Sequence, residues 1–287
     1  MKKTTFDWEL YHKMYQFHKI ASEQGIRLSA EKLRDHFEIP DRTARYYFFM
    51  VSNNYSQSLQ TTKSRGENRL IIPDIHAPFV KKGFLEHCVK AYHDYYCTKV
   101  TFLGDILDNH FTSFWKSDPD GLSAKDEVEM AIDILQPWYN AFPEAEICTG
   151  NHDVRIRRQA FDAGISEKWI KDYSEVMETP GWIWDDYWDH FGTRYTHGDG
   201  PGGALNGAFQ RVLYWDLSTV QGHWHTSSYT RWKVSESNRL YAFQLGCGMD
   251  YKSYAAAYSK KSQKKPVIEC GVILDDGRIP IHLPMYL

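Results

Sequence analysis

No apolar run in the 287-residue chain approaches the ~18 residues of a membrane-spanning helix, so no membrane contact is expected. The opening residues, Met-Lys-Lys-Thr-Thr-Phe-Asp, lack the apolar stretch of a secretory signal, and a cytoplasmic location is expected. Cysteine is sparse and odd in number: Cys88, Cys97, Cys148, Cys247 and Cys270, with no CxxC pair among them. That excludes a disulfide framework and a cysteine-based zinc finger, leaving buried thiols as the expectation. Internal repeats and low-complexity tracts are missing too. Net charge is only -3, but it is unevenly spread. Residues 1–65 carry 11 Lys or Arg against 7 acids, and the remainder 23 against 30. An acidic body able to gather cations therefore follows a mildly basic head, which suits nucleic-acid contact or simply a solvated face. Aromatics are plentiful, at 15% with ten Trp, and predict a thick core.

Taken in order, residues 6–24 place Phe6, Leu10, Tyr11, Met14, Phe17 and Ile20 at helical spacing, with Gly25 as the expected stop. Ser29 can cap a second helix to Phe37. After the break Glu38-Ile-Pro-Asp41, a third helix is predicted from Arg42 to about Val51. Two helices flanking a short turn around Ile39 resemble a helix-turn-helix unit, whose second helix would present Arg42, Thr43, Arg45, Tyr46 and Tyr47 to DNA. A helical bundle that only packs is the alternative. A polar stretch from Asn54 to Asn68 follows. The domains expected are 1–60 (small, all-α, helix-turn-helix-like), 61–68 (linker) and 69–287 (catalytic).

Beyond residue 69, apolar strands (Leu70-Ile-Ile, Lys99–Leu103, Glu146–Thr149) alternate with helices (Gly83–Tyr96, Ser123–Trp138), the pattern of parallel α/β structure. Residues 155–190 are expected to be helical, and from Thr193 onward short β-rich runs dominate. Five apolar runs end in metal-binding residue types: Pro73-Asp-Ile-His76, Gly104-Asp-Ile-Leu-Asp108, Thr149-Gly-Asn-His-Asp153, Thr196-His-Gly-Asp199 and Gly222-His-Trp-His225. Each alone could be a turn with a satisfied side chain. Strand ends collect along one sheet edge, so together they point to one site.

These five blocks, in this order and spacing, resemble the calcineurin-like metallophosphoesterases over residues 69–225. The resemblance implies a four-layer αββα sandwich of two mixed sheets with a site for two divalent ions. Asp74, His76, Asp105 and His225 would hold one ion, and Asp105, Asn151, His197 and His223 the other. Mn²⁺ is the expected metal, with Fe, Zn or Mg as alternatives. A water activated between ions ~3.5–4 Å apart would attack phosphorus. His152 would serve as catalytic acid with Asp153 orienting its ring, and Asp108 could support the ligands from behind.

Departures from the family narrow the substrate. Protein phosphatases of this family follow Gly-Asp-x-x-Asp with Arg-Gly, whereas Asn109-His110 stand here. Without that arginine a phosphodiester is favoured over a monoester. The Gly-Asn-His-Asp form is similar to SbcD-like nucleases and class III cyclic-nucleotide phosphodiesterases. Asn109, His110, Arg155, Arg157 and Arg158 are candidate substrate contacts, and Trp224, between two ligand histidines, is expected in the core. The expected activity is that of a two-metal nuclease acting on DNA, with a homodimer as one assembly. A small-molecule phosphoesterase for cyclic nucleotides or nucleotide anhydrides is the alternative, and a DNA-binding regulator comes third.

Overall fold

The computed structural model describes residues 8–24, 26, 28–48, 51–52, 66–112, 121–253 and 265–285. The chain divides into two compact units, Met1–Arg65 and Gly66–Leu287. Most of the expected linker lies outside the described residues, as does Gly25.

In the first unit, α1 (Trp8–Glu23) is followed by α2 (Ala30–Phe37) and by α3, residues 41–48. Ser29 caps α2, its hydroxyl accepting from the Lys32 amide at 3.3 Å. Tyr11, Met14, Leu33, Tyr47 and Val51 form the unit's core, and Ile39 of the turn packs against it. Arg42, Arg45 and Tyr46 are exposed, Thr43 is half-buried, and Arg45 pairs with Asp41 at 2.8 Å. Tyr47 corrects the expectation that it faces outward, being only 4% exposed. Ala44, Tyr47 and Val51 share one helical face at i, i+3, i+7, and that face is the buried one.

The second unit runs β1 (Arg69–Ile72), α4 (Phe84–Asp94), β2 (Lys99–Phe102), α5 (Ala124–Ala141), β3 (Ala145–Cys148), α6 (Arg155–Asp162), α7 (Tyr173–Val176) and β4 (Trp182–Asp185). It continues β5 (Tyr187–His190), β6 (Thr193–Thr196), α8 (Gly203–Trp215), β7 (Ser218–Gln221), β8 (Tyr229–Val234), β9 (Arg239–Gln244), β10 (Glu269–Leu274) and β11 (Ile279–Pro284). One mixed sheet has the order β11-β10-β1-β2-β3-β4, the other β5-β6-β7-β9-β8. Strands β1 to β4 are mutually parallel, as are β6, β7 and β9.

Side-chain alternation along the strands builds the layers. Ile71, Leu103, Cys148 and Ile273 of the first sheet pack on Tyr195, Val220, Tyr241 and Phe243 of the second. On the outer face of the first sheet, Phe102 meets Trp138 of α5 and Trp182 at ring separations of 6.0 and 4.9 Å. Burying a side chain such as Phe102 contributes roughly 1.5–3 kcal/mol. On the outer face of the second sheet, Ala208 and Val212 of α8 cover Leu240 and Ala242. The result is an αββα sandwich, with all five cysteines buried and unbridged. No helix among the described residues is long and apolar enough to cross a membrane.

Two elements differ from expectation. Within residues 155–190, read as helical, Trp182–Asp185 and Tyr187–His190 are strands, β4 extending the parallel sheet beside β3. Their aromatic-rich sequence suits a pleated surface, and the Trp182 indole donates to the Phe142 carbonyl at 2.8 Å. Helix α8, in turn, lies where only short strands were expected. Its first two turns hold Gly203, Asn206 and Gly207, poor helix formers that packing on β7 and β9 overrides.

Candidate metal centre

Because β1, β2 and β3 run parallel, the corners that follow them emerge at one edge, and the corners after β6 and β7 meet them there. Asp74 and His76 follow β1, Asp105 and Asp108 follow β2, and Asn151 and His152 follow β3. His197 follows β6, and His223 and His225 follow β7. The turns are sharp: His76, Asp105, Asn109 and His223 all have left-handed backbones, at φ 48°, 47°, 48° and 65°. Such conformations cost energy and persist only where the surroundings enforce them. Close approach does that here. A Cβ on Gly150 would fall 2.2 Å from the Asp105 amide nitrogen, and one on Gly222 would fall 2.2 Å from Asp74 Oδ1. Neither position admits a side chain.

The ligand atoms converge in two groups, Asp74 with His76 and His225, and Asp105 with His197 and His223. Asp105 stands between them, its Oδ2 3.6 Å from His76 Nε2 and 3.4 Å from His197 Nε2. Asn151 joins the second group, its Oδ1 2.9 Å from His197 Nε2. A third group, His76, Asp108 and His152, lies alongside.

Hydrogen bonds to the far ring nitrogens fix how the histidines present themselves. His76 Nδ1 donates to Asp108 Oδ1 at 2.8 Å, so its Nε2 faces His225 Nε2, 3.1 Å away, and Asp105. His197 Nδ1 donates to the Leu103 carbonyl at 2.9 Å. Its Nε2 is then ringed by Asn151 Oδ1, His223 Nδ1 at 3.1 Å and Asp105 Oδ2. So many lone pairs around one nitrogen call for a cation. Burial opposes charge on His197, yet Asp105 and Asp74 push it up to about 10, a proton occupying the cation's place. Burial and the neighbouring His197 push His223 down to about 4, leaving it an electron-pair donor. Burial would raise the Asp105 carboxyl, but His197 and His152 hold it well below the usual carboxylate range. Asp74 Oδ1 is fully buried with no hydrogen-bond partner among the described residues. An orphaned carboxylate oxygen amid imidazole nitrogens fits a divalent metal, and the N/O donor set suits Mn, Fe or Zn.

His152 is arranged differently from expectation. Its Nδ1 donates to the Asp108 carbonyl at 2.8 Å and lies 3.2 Å from Asp108 Oδ1, so Asp108 orients the ring. Asp153, expected in that role, instead accepts from the Leu107 and Gly150 amides at 3.1 and 2.9 Å. Both of its carboxylate oxygens are thereby used on backbone amides, tying two corners together. Its carboxyl is pushed up to about 7 by burial first and by Asp105 second. His152 Nε2 accepts from the Arg155 guanidinium at 2.9 Å, and Arg155 also donates to the Asp108 carbonyl at 3.0 Å. Of the expected substrate contacts, Arg155 therefore reaches the site.

The others do not open onto it in the same way. Asn109 is only 4% exposed, and its amide is used on the His152 carbonyl at 3.0 Å. His110 sits 3.5 Å from Asp108 Oδ2 at the rim. Arg157 is engaged with Glu167 and Asp172 and stacks over the Tyr173 ring, 4.7 Å from its centre. Arg158 is exposed. Trp224, expected in the core of a strand, lies in a turn, half-buried and edge-on to His223 at 4.8 Å.

Sequence reasoning missed a buried polar relay behind the second ligand group. Arg211 of α8 donates to Gln221 at 2.8 Å and to the carbonyls of Gly198 and Asp199 at 3.2 and 2.6 Å. Gln221 donates to Gln244 at 2.8 Å, and Gln244 to the Gly222 carbonyl at 2.7 Å. The relay joins the segment just after His197 to the residue just before His223. Glycine-rich spacing after His197 was the only sequence signal near it.

Fold and site together define a two-sheet α/β protein with a His/Asp metal centre at the edge of its sheets. No protein-family model matches the chain, and no curated protein matches it. Among solved structures, Vacuolar Protein Sorting 29 from Cryptosporidium parvum is similar at 14% identity and a TM-score of 0.42, covering 78% of this chain and 93% of its own. The Escherichia coli phosphoesterase YfcE gives 14% identity and a TM-score of 0.32, covering 72% and 87%. The Pseudomonas putida nuclease MPE gives 14% and 0.31, covering 76% and 87%. Similarity this distant transfers no activity, and the functional reading stands on the site.

Proposed function

We propose that the protein is a metal-dependent phosphodiesterase that hydrolyses nucleic acid. The observation that carries this reading is Asp105, a single buried carboxylate standing between two His/Asp groups, the arrangement that suits a pair of divalent ions. When bound, such ions lower the pKa of a water and neutralise charge on the phosphoryl oxygens. The chain's own residues would do the rest. Asp74, His76 and His225 hold one side and Asn151, His197 and His223 the other. Arg155 places a guanidinium beside His152, suited to gripping a phosphoryl oxygen that no arginine at 109 or 110 can reach. His152 is raised as an acid: burial favours its neutral form, but Asp105 and Asp108 favour the charged one. Nε2 accepts from Arg155 here, so a proton would sit on it only once Arg155 turns to a phosphoryl oxygen, and from there it would suit delivery to the leaving oxygen. The mildly basic first unit, through Arg42, Thr43, Arg45 and Tyr46, would add DNA affinity.

The test is a substrate panel with Mn²⁺, run on the full chain and on residues 66–287. Cleavage of single- or double-stranded DNA, lost in Asp105→Asn and weakened without residues 1–65, is the expected result. Turnover of cyclic nucleotides or nucleotide anhydrides with no polynucleotide cleaved would instead establish the small-molecule reading.

A further inference from the structure

Immediately past His152 the surface changes character. Residues 155–171 carry five Lys or Arg against two acids, a local +3 in a chain whose net charge is -3. Over the same stretch large apolar side chains stand in solvent, with Phe161 81% and Trp169 84% exposed and Ile165 nearly half. A cavity of about 350 Å³ opens between α6 and the following segment, where Arg158, Phe161, Ile165 and Ile170 line it beside the paired Arg157 and Glu167. The platform is fixed in place. Arg157 binds the Glu167 carboxylate and Asp172, and lies over Tyr173, pinning residues 167–173 against α6. Arg155 begins the same helix and touches His152, so α6 runs from the catalytic edge to Phe161.

We propose that this face, Phe161 and Trp169 flanked by Arg158 and Lys168, is the track on which a single-stranded DNA substrate lies as it leaves the metal centre. The inference rests on the nucleic-acid reading above. Exposed aromatic rings interleaved with cationic side chains suit a strand whose bases stack while its phosphates meet positive charge. The cavity is large enough to take one base. A purely apolar partner would leave Arg158 and Lys168 unmatched, and phosphates match them.

The experiment measures anisotropy of 5′-fluorescein dT20 with the full chain in EDTA, alongside hydrolysis of bis(p-nitrophenyl) phosphate in Mn²⁺. Phe161→Ala and Trp169→Ala should each weaken dT20 binding roughly tenfold or more. Arg158→Glu with Lys168→Glu should flatten the salt dependence by about one slope unit per charge. Turnover of the small ester should stay unchanged in all of them, which also reports an intact fold. Equal dT20 binding by wild type and the double aromatic variant overturns the proposal, as does tighter binding of rU20 than dT20. A dimer lost in that variant would assign the face to a second copy and overturn it as well. The two readings fail separately. Binding lost in the variant without any polynucleotide cleavage by wild type keeps the track and sinks the nuclease. Cleavage with unchanged KM in the variant keeps the nuclease and sinks the track.

Discussion

Asp108 touches several parts of the site at once. One carboxylate oxygen holds His76 Nδ1 at 2.8 Å, its carbonyl holds His152 Nδ1 at 2.8 Å, and Arg155 donates to the same carbonyl. Burial would raise its carboxyl, but His110, His152 and His76 hold it well below the usual range. An acid so placed sets which ring nitrogen of His76 faces the metal. Asp108→Ala should therefore cost roughly 10–100-fold in metal affinity and in turnover, read by Mn²⁺ titration beside hydrolysis of a small diester. Unchanged affinity would reduce Asp108 to a packing residue. The sequence hinted at this role only through the spacing of Gly-Asp-x-x-Asp. That a backbone carbonyl would orient His152, and that Asp153 would turn inward, depends on the left-handed turns at Asp105 and Asn109, which no local pattern announces.

The corners themselves were legible. An apolar run ending in Gly, Asp or His marks a buried strand leaving the core, and all five such places lie at the edge described above. What supports the corners was not. The Arg211–Gln221–Gln244 relay links residues 10 and 23 positions apart, and glutamines within β-rich runs read as solvent-facing until a helix covers them. That helix, α8, was itself hidden by its glycines. Arg211→Ala should unfix the segment after His197, lowering affinity at the group of Asp105, His197 and His223 by roughly 10–100-fold. The group of Asp74, His76 and His225 should be spared, and two-step Mn²⁺ titration distinguishes the sites. Equal loss at both would mean that α8 had detached from the sheet as a whole.

In the second unit the acids Asp74, Asp105 and Asp108 are buried together at the rim where the two sheets meet. Among the described residues, histidines and backbone amides are what offset their charge without metal. Bound metal should stabilise the fold by roughly 3 kcal/mol at a hundredfold excess over Kd, a rise of about 5–10 °C in the unfolding midpoint for a unit of this size. Calorimetry with and without EDTA checks it, and coincident transitions would mean that no metal binds the native state. The layered architecture was largely readable, because helix–strand alternation and then β-rich runs dictate two sheets with helices outside. The placement of β4 and β5 was not, since aromatic stretches such as Trp182-Ile-Trp suit a helix face or a strand until a partner is known.

One pairing reaches further than geometry. Strand β1, which delivers Asp74 and His76, is flanked on one side by β10, whose residues lie some 200 positions later, Arg69 opposite Ile273. Until that distant segment arrives, β1 has an open edge and the first ligand corner has no fixed wall. Completing the centre therefore requires closing a loop of some 200 residues, a cost in chain entropy that no local motif offsets. A chain caught before that closure would expose the very strand on which its chemistry depends.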